Sequence, residues 1–247
     1  MNFSDASSTR ALRLFQCFAK EARPLSLSEI SKQMDTPLST CHALIGVLRQ
    51  GGYLYTHHES KKFYPTKRLL QVAQGIAAND PLASIFEPYL RKLSEATRET
   101  VILGTLQQDS VVYLDVIEGP QVIRYTAGPG DIKPLHSSAI GKLILGEMDP
   151  GERAKVIKRL ALEKVTENTV IDRAALDAAV SASHDAGYYT TRGENVSDVM
   201  AIAMPIIVQE EPLGVAVAGP LERVSACFDA IVQELSALKS DLSKVFD

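Results

Sequence analysis

In the first fifty residues apolar side chains recur at three- and four-residue spacing, the period of a helix with one buried face. Ala11, Leu14, Phe15 and Phe18 form the apolar side of a first helix. Ser26-Leu27-Ser28-Glu29 has the spacing of a capping box, in which hydroxyl and carboxylate satisfy the unpaired amides of a helix start reciprocally. Thr36-Pro37 predicts a hydroxyl cap followed by proline at the first position of a third helix. That helix runs to about Gln50 and stops at Gly51-Gly52. Cys41, Leu44, Ile45 and Leu48 make its apolar stripe, and Ser39, His42, Ala43, Gly46 and Arg49 make a small and polar opposite face. The period then changes. Tyr53-Leu54-Tyr55 and Phe63-Tyr64 predict two aromatic strands around a turn carrying His57, His58, Lys61 and Lys62. Three helices followed by a basic hairpin read as a winged helix-turn-helix, with the third helix as a candidate DNA-recognition element.

Further along, Lys67 to about Ala78 is helical in pattern, with Leu69, Leu70, Val72, Ala73 and Ile76 apolar. Asn79-Asp80-Pro81 interrupts it, a turn signal and a natural boundary. A helix follows with Ile85, Tyr89, Leu90 and Leu93 on one side. Thr100–Gln107, Ser110–Val116 and Val122–Thr126 are β-rich runs, and Gly128-Pro129-Gly130-Asp131 is a loop. His136–Leu145, Pro150–Leu160 and Arg173–Ala186 read as helices. Tyr188–Thr191, Ala201–Val208 and Leu213–Ala218 read as strands, and Arg223–Phe246 as an amphipathic helix broken once. Hairpins mixed with helices, without strict strand-helix-strand repetition, predict an α+β fold around a mainly antiparallel sheet. The expected organisation is a DNA-binding domain over 1–66, a helical linker over 67–79 and a second domain over 80–247.

Charge sharpens this division. The chain of 247 residues carries a net charge of −4, but residues 1–68 hold +5 and residues 69–247 hold −9. A basic first third on an acidic remainder is the footprint of a nucleic-acid-binding module joined to a part that avoids DNA. The start lacks a hydrophobic signal segment, which places the expected location in the cytoplasm. Cys17, Cys41 and Cys227 are too few and too scattered for a disulfide framework, and read as small buried apolar residues. The N-x-S matches at Asn2 and Asn195 carry no weight in that compartment. No glycine-rich phosphate loop, nucleophile elbow or metal-ligand spacing is present, so neither an enzyme nor a cofactor is expected. Two alternatives stay open: a metabolite-converting enzyme with a helical accessory domain, and a winged-helix module that binds protein.

These residues together resemble the IclR family of bacterial transcription regulators, over nearly the whole chain. The N-terminal part is similar in Arg10-Ala11-Leu12, Leu25-Ser26-Leu27-Ser28-Glu29-Ile30, Ser39-Thr40 with His42, and Gly52-Tyr53-Leu54. The C-terminal part is similar in Glu99-Thr100-Val101, Pro134-Leu135-His136-Ser137-Ser138-Ala139 with Gly141-Lys142, Gly187-Tyr188, Glu194, Ala203-Met204-Pro205 and Gly219-Pro220. The resemblance implies a winged helix, a linker helix that dimerises, and a GAF-like domain that binds a small organic effector. Dimers or dimers of dimers would sit on a pseudo-palindromic operator. Many members have arginine where this chain has Ala43, and glycine where it has Asp198. Loss of a bidentate arginine is worth ~1–3 kcal/mol for each base it reads, enough to change operator preference.

Residue by residue, Ser39, Thr40, His42 and Ala43 are the candidates facing the major groove. Arg10, Lys32, Arg49, Lys61 and Lys62 are candidate phosphate partners. Ser137 and Ser138 lead into a helix whose first free amides, such as those of Ala139 and Ile140, suit a carboxylate; either serine also suits a helix cap. By position in the family, Tyr125, Thr191, Val199, Ala201, Ala216 and Ala218 form the facing wall. Some relatives carry acidic or serine side chains at Thr191, Ala216 and Ala218, so their replacement here predicts a less polar pocket and a larger or more apolar ligand, such as an aromatic acid. His136 reads as a structural hydrogen-bonding residue, His184 as an uninvolved surface residue, and Asp115 and Glu118 as solvated. Glu194 and Asp198 have the spacing of an acid pair.

Overall fold

The structure, a computed structural model, describes residues 7–246; Asn2 lies outside them. The chain divides after Asp80 into two compact units.

The first unit contains α1 (Ser7–Glu21), α2 (Leu27–Met34), α3 (Leu38–Gln50), β1 (Leu54–Thr56), β2 (Phe63–Pro65) and α4 (Arg68–Ala77). The capping box is formed: Glu29 N–H donates to Ser26 Oγ at 3.3 Å, and Ser26 N–H donates to Glu29 Oε2 at 2.8 Å. The entry to α3 differs from the expected hydroxyl cap. Pro37 occupies the cap position, and Thr36 is buried with its hydroxyl donating to Met34 O at 3.0 Å. The reason lies one residue earlier: Asp35 takes the left-handed conformation (φ 47°), turning Thr36 back to close α2. Leu14, Phe18, Ile30, Met34, Cys41 and Ile45 make the core, joined by Leu25 and Leu54. Leu25 also pairs with Phe63, adding a bridge to the β1–β2 hairpin. On α4 no side chain is buried, and Leu69, Leu70, Val72 and Ile76 all lie exposed.

The second unit begins with α5 (Pro81–Thr97), β3 (Thr100–Gln107), β4 (Ser110–Ile117), β5 (Ile132–Pro134) and α6 (Ala139–Glu147). It continues with α7 (Pro150–Arg159), α8 (Arg173–Ala186), β6 (Tyr189–Arg192), β7 (Val199–Val208) and β8 (Glu211–Pro220), and ends with α9 (Leu221–Ala226) and α10 (Phe228–Phe246). The strands form one sheet in the order β5-β4-β3-β8-β7-β6, each pair antiparallel. Side chains alternate between its faces. Ile102, Ala203, Ala216 and Ala218 meet α6 and α8 on one side, whereas Val101, Leu103, Val215 and Val217 meet α5 and α10 on the other.

Several expectations change here. Val122–Thr126 is not a strand: Val122 and Ile123 are 94% and 75% exposed, and Tyr125 is held by the Thr100 hydroxyl donating to its carbonyl at 2.5 Å. The outer edge of β4 is taken instead by β5, through Ser110–Val112 opposite Ile132–Pro134. Residues 135–138 form a turn, so α6 begins at Ala139 rather than His136. Cys227 is exposed at the break between α9 and α10, unlike buried Cys41.

Candidate functional site

Two regions bring expected site residues together, one in each unit. In the first, α3 is held against the core by Cys41 and Ile45, which turns Ser39, His42, Ala43 and Arg49 to solvent. Thr40 is only half exposed at the edge of this face, and Val47, on the same helix, is exposed. A groove between α3 and the hairpin is lined by Gly46, Arg49, Tyr55, Thr56, His58 and Lys61, among others. The Thr56 hydroxyl is buried there without a hydrogen-bond partner among the described residues. Lys61 sits at the hairpin tip in the left-handed region (φ 54°). Lys62 lies 3.4 Å from the Glu29 carboxylate, so part of its charge is already answered. Glu29 itself is held down to about 2 by the Ser26 backbone amide and the Arg23 guanidinium. Lys32 is exposed on α2, and Arg10 is half-buried on α1.

In the second unit a small cavity, partly open to solvent, lies between the sheet and the start of α6. The side chains on its sheet side are small: Ala201 pairs with Ala218 across β7 and β8, and Ala216 lies two residues before Ala218 on β8. Nine of the ten residues expected for the effector wall line it: Tyr125, Ser138, Ala139, Ile140, Thr191, Val199, Ala201, Ala216 and Ala218. Ser137 does not; its buried hydroxyl accepts a hydrogen bond from Asn195 Nδ2 at 3.1 Å. Four further lining residues, Ile102, Tyr113, Asn195 and Val196, are not among the sequence candidates. Tyr113 has a visible signal, because strand alternation puts it on the same face as buried Val111.

Ser138 caps α6: its hydroxyl accepts from Gly141 N–H at 3.1 Å and donates to Pro134 O at 2.7 Å. The Ala139 and Ile140 amides precede the first intrahelical bond and meet no acceptor among the described residues. They line the cavity, and the positive end of a helix with open amides is chemically suited to an anion. Gly141 is required where it stands, since a Cβ there would lie 2.3 Å from Leu135 O. The other polar lining groups are the hydroxyls of Tyr113, Tyr125 and Thr191 and the Asn195 amide. Burial, and then the neighbouring Tyr125 hydroxyl, push the Tyr113 phenol well above its ordinary range, keeping it protonated.

A buried charge pair supports this wall. Lys142 Nζ donates to Glu194 Oε1 at 2.6 Å, with side chains only 5% and 10% exposed. Glu194 Oε2 has no hydrogen-bond partner among the described residues. The pair fixes α6 to residues 193–196, which carry Asn195 and Val196 to the cavity; Thr169 adds a bond to Glu194 O at 2.7 Å. Glu194 is therefore engaged with Lys142 rather than with Asp198 as an acid pair.

His136 bonds through Nε2 to Glu163 O at 2.9 Å. His184 is not the uninvolved surface residue expected: its Nδ1 lies 3.2 Å from the Tyr189 hydroxyl, which donates to Glu147 at 2.7 Å. Glu118 is bound by Arg124 at 2.7 Å, and Asp115 accepts from Val116 N–H at 2.8 Å, so neither is merely solvated. Among the described residues no cluster of three or more His, Cys, Asp or Glu is placed to hold a metal ion. No helix among them is long and apolar enough to cross a membrane.

The profile of the bacterial transcriptional regulator IclR C-terminal domain matches residues 74–244, and that of the IclR helix-turn-helix domain matches residues 7–58. The transcriptional regulator BhcR of Paracoccus denitrificans is 29% identical over 231 residues, covering 91% of this chain and 82% of its own. A transcriptional regulator of Rhodococcus sp. RHA1 superposes with a TM-score of 0.82 at 20% identity, covering 97% of both chains. An IclR homolog of Microbacterium hydrocarbonoxydans, solved with 4-hydroxybenzoate, superposes with a TM-score of 0.76 at 21% identity, covering 97% of this chain and all of the other.

Proposed function

The chain belongs to the IclR family of transcription regulators, and from that premise we propose that it is an operator-binding protein controlled by a small organic carboxylate. The observation that carries the effector is the pair of unanswered amides, Ala139 and Ile140, at an apolar cavity walled by Tyr125, Thr191, Val199, Ala201, Ala216 and Ala218. The 4-hydroxybenzoate bound by the Microbacterium homolog supports an aromatic acid, as do the three alanines of the floor. On the DNA side, Ser39, Thr40, His42 and Ala43 meet the major groove, and Arg10, Lys32, Arg49, Lys61 and Lys62 meet phosphates. The uncovered apolar residues of α4 support self-association through that helix, giving two winged helices for two half-sites of a pseudo-palindrome in cytoplasmic DNA. Effector binding then changes operator affinity by ~1–3 kcal/mol, the ordinary scale of such coupling.

Fluorescence anisotropy with the neighbouring intergenic DNA, with and without a panel of carboxylates, tests this reading. Saturable binding that shifts roughly five- to hundredfold with one acid is expected. Binding to no DNA at low salt would refute the operator assignment and favour a protein partner. Turnover of an acid by the full chain would favour an enzyme.

A further inference from the structure

The exposed face of α3 has two unlike sides. Its one charged side chain, Arg49, lines the groove against the hairpin together with Gly46, and His58 and Lys61 line that groove from the hairpin itself. His42 stands two turns before Arg49 and so lies on the same side of the helix. The other side is Thr40, Ala43 and Val47, at three- and four-residue spacing. Each of these three side chains carries a methyl group, and none carries a charge.

Two neighbouring positions of this helix give up helix stability for no contact inside the protein. Gly46 is a mid-helix glycine, which weakens a helix relative to alanine, yet a Cβ there would meet nothing within 4 Å among the described residues. Its bare backbone therefore serves no internal packing. Val47 is β-branched, a poorer helix former, and it is 67% exposed and outside the core of its unit. An uncovered valine beside an uncovered glycine permits close approach of another surface. In a helix-turn-helix domain, whose profile residues 7–58 match, that surface is the major groove. Readout there follows side-chain chemistry: guanine is taken chiefly by arginine or lysine, cytosine by carboxylates, and the C5 methyl of thymine by apolar groups. α3 has no carboxylate and turns its arginine to the hairpin, so the Thr40–Ala43–Val47 side has the chemistry of thymine. Cβ atoms four residues apart on a helix lie about 5–6 Å from each other, which spans about two base-pair steps of about 3.4 Å.

Resting on the operator-binding reading above, we propose that Ala43 and Val47 read thymine methyl groups at two nearby positions of each half-site, with Thr40 extending that surface. Val47 is the specificity-determining residue. The groove beside the hairpin takes the sugar-phosphate backbone and sets how tightly any DNA binds; the methyl side sets which DNA is preferred.

Selection by the full chain from a random duplex library tests this, followed by fluorescence anisotropy on the selected duplex with uracil replacing thymine one position at a time. Uracil differs from thymine only in lacking the methyl group. The wild type is expected to select half-sites with two thymines one or two steps apart. Uracil at either should weaken binding roughly fourfold, the scale of one buried methyl group. Val47→Ser should bind the thymine duplex and its uracil counterpart alike at one of these positions, with the salt slope unchanged. Ala43→Arg should select guanine in place of thymine at the other. Indifference of the wild type to uracil at every position, or selection of half-sites without such thymines, would overturn the methyl readout and leave operator binding standing. An unchanged selected site in Ala43→Arg would overturn the part given to Ala43. An equal loss for both duplexes in Val47→Ser, with circular dichroism unchanged, would make Val47 a general contact and overturn its specificity role. Equal binding of all sequences would overturn the readout too, and binding to no DNA at low salt would remove the operator reading with it.

Discussion

Removing Lys142 tests how the cavity wall is held. Lys142→Met keeps the length of the side chain but leaves Glu194 buried without its partner at 2.6 Å. The carboxylate cannot turn to water, being only 10% exposed, and its Oε2 already lacks a partner among the described residues. Loss of one member of a buried pair costs about 3–5 kcal/mol. The same cost, within a factor of about two, is expected for Glu194→Leu, which leaves the ammonium stranded. The double variant removes both charges, and apolar replacements of buried pairs are often neutral, so it should recover most of the loss, giving a coupling energy of about 5 kcal/mol or more. Urea unfolding followed by circular dichroism, with m-values compared, measures each arm of the cycle. Hydrogen exchange at residues 193–196 should rise in the single variants and fall back in the double. If the double variant were destabilised by the sum of the singles within ~0.5 kcal/mol, the two residues would be independent and would not hold the wall as a pair.

Three further outcomes concern other parts of the molecule. Lys61→Asn, chosen because asparagine tolerates the left-handed backbone at φ 54°, should reduce the salt slope of DNA binding by about 0.9, the value of one phosphate no longer neutralised. Lys62→Gln should reduce it less, because Glu29 already answers part of that charge; an unchanged slope in both would dismiss the hairpin as a phosphate binder. Glu29 has its carboxyl lowered from 4.5 to about 2 in the folded state, so its contribution is present above about pH 4.5 and lost as pH falls toward 2. Acid titration of the melting temperature should therefore be flatter in that window for Glu29→Gln, and parallel curves would contradict the capping role. Gly141→Ala forces a Cβ to within 2.5 Å of Leu135 Cα, so about 1–3 kcal/mol of stability and the carboxylate affinity should fall together; thermal melts and calorimetry that both match wild type would rule this out.

Much of the fold is legible in the sequence because its determinants are local. The Ser26–Glu29 capping box, the Cys41–Leu48 stripe and the Gly51-Gly52 stop each lie within one or two turns of the helix they define. The hydroxyl cap expected at Thr36 does not form because the left-handed turn at Asp35, which no neighbouring glycine announces, redirects the chain. Val122–Thr126 has strand-forming residues, but a strand needs an open edge, and β5 occupies that of β4. The cavity is legible where family motifs mark it and obscure where it is assembled at long range. Lys142 and Glu194 are 52 residues apart, so no local pattern announces their pairing. Asn195 shows in the sequence only as an N-x-S match, although its amide bonds Ser137 at the head of α6.

The alanine floor has a consequence for how such a sensor changes its taste over generations. Ala201, Ala216 and Ala218 lie on two long, fully paired strands, where the backbone is fixed by its ladder rather than by the side chains. A single codon change there to serine, aspartate or valine would redraw the chemistry or depth of the cavity while the ladder stays intact. The inherited DNA grip, in a separate compact unit, would be untouched by that change. With the proposed effector seated here, its choice would be written in positions that mutate cheaply, and a lineage could retune the regulator to a new metabolite without rebuilding the unit that reads DNA.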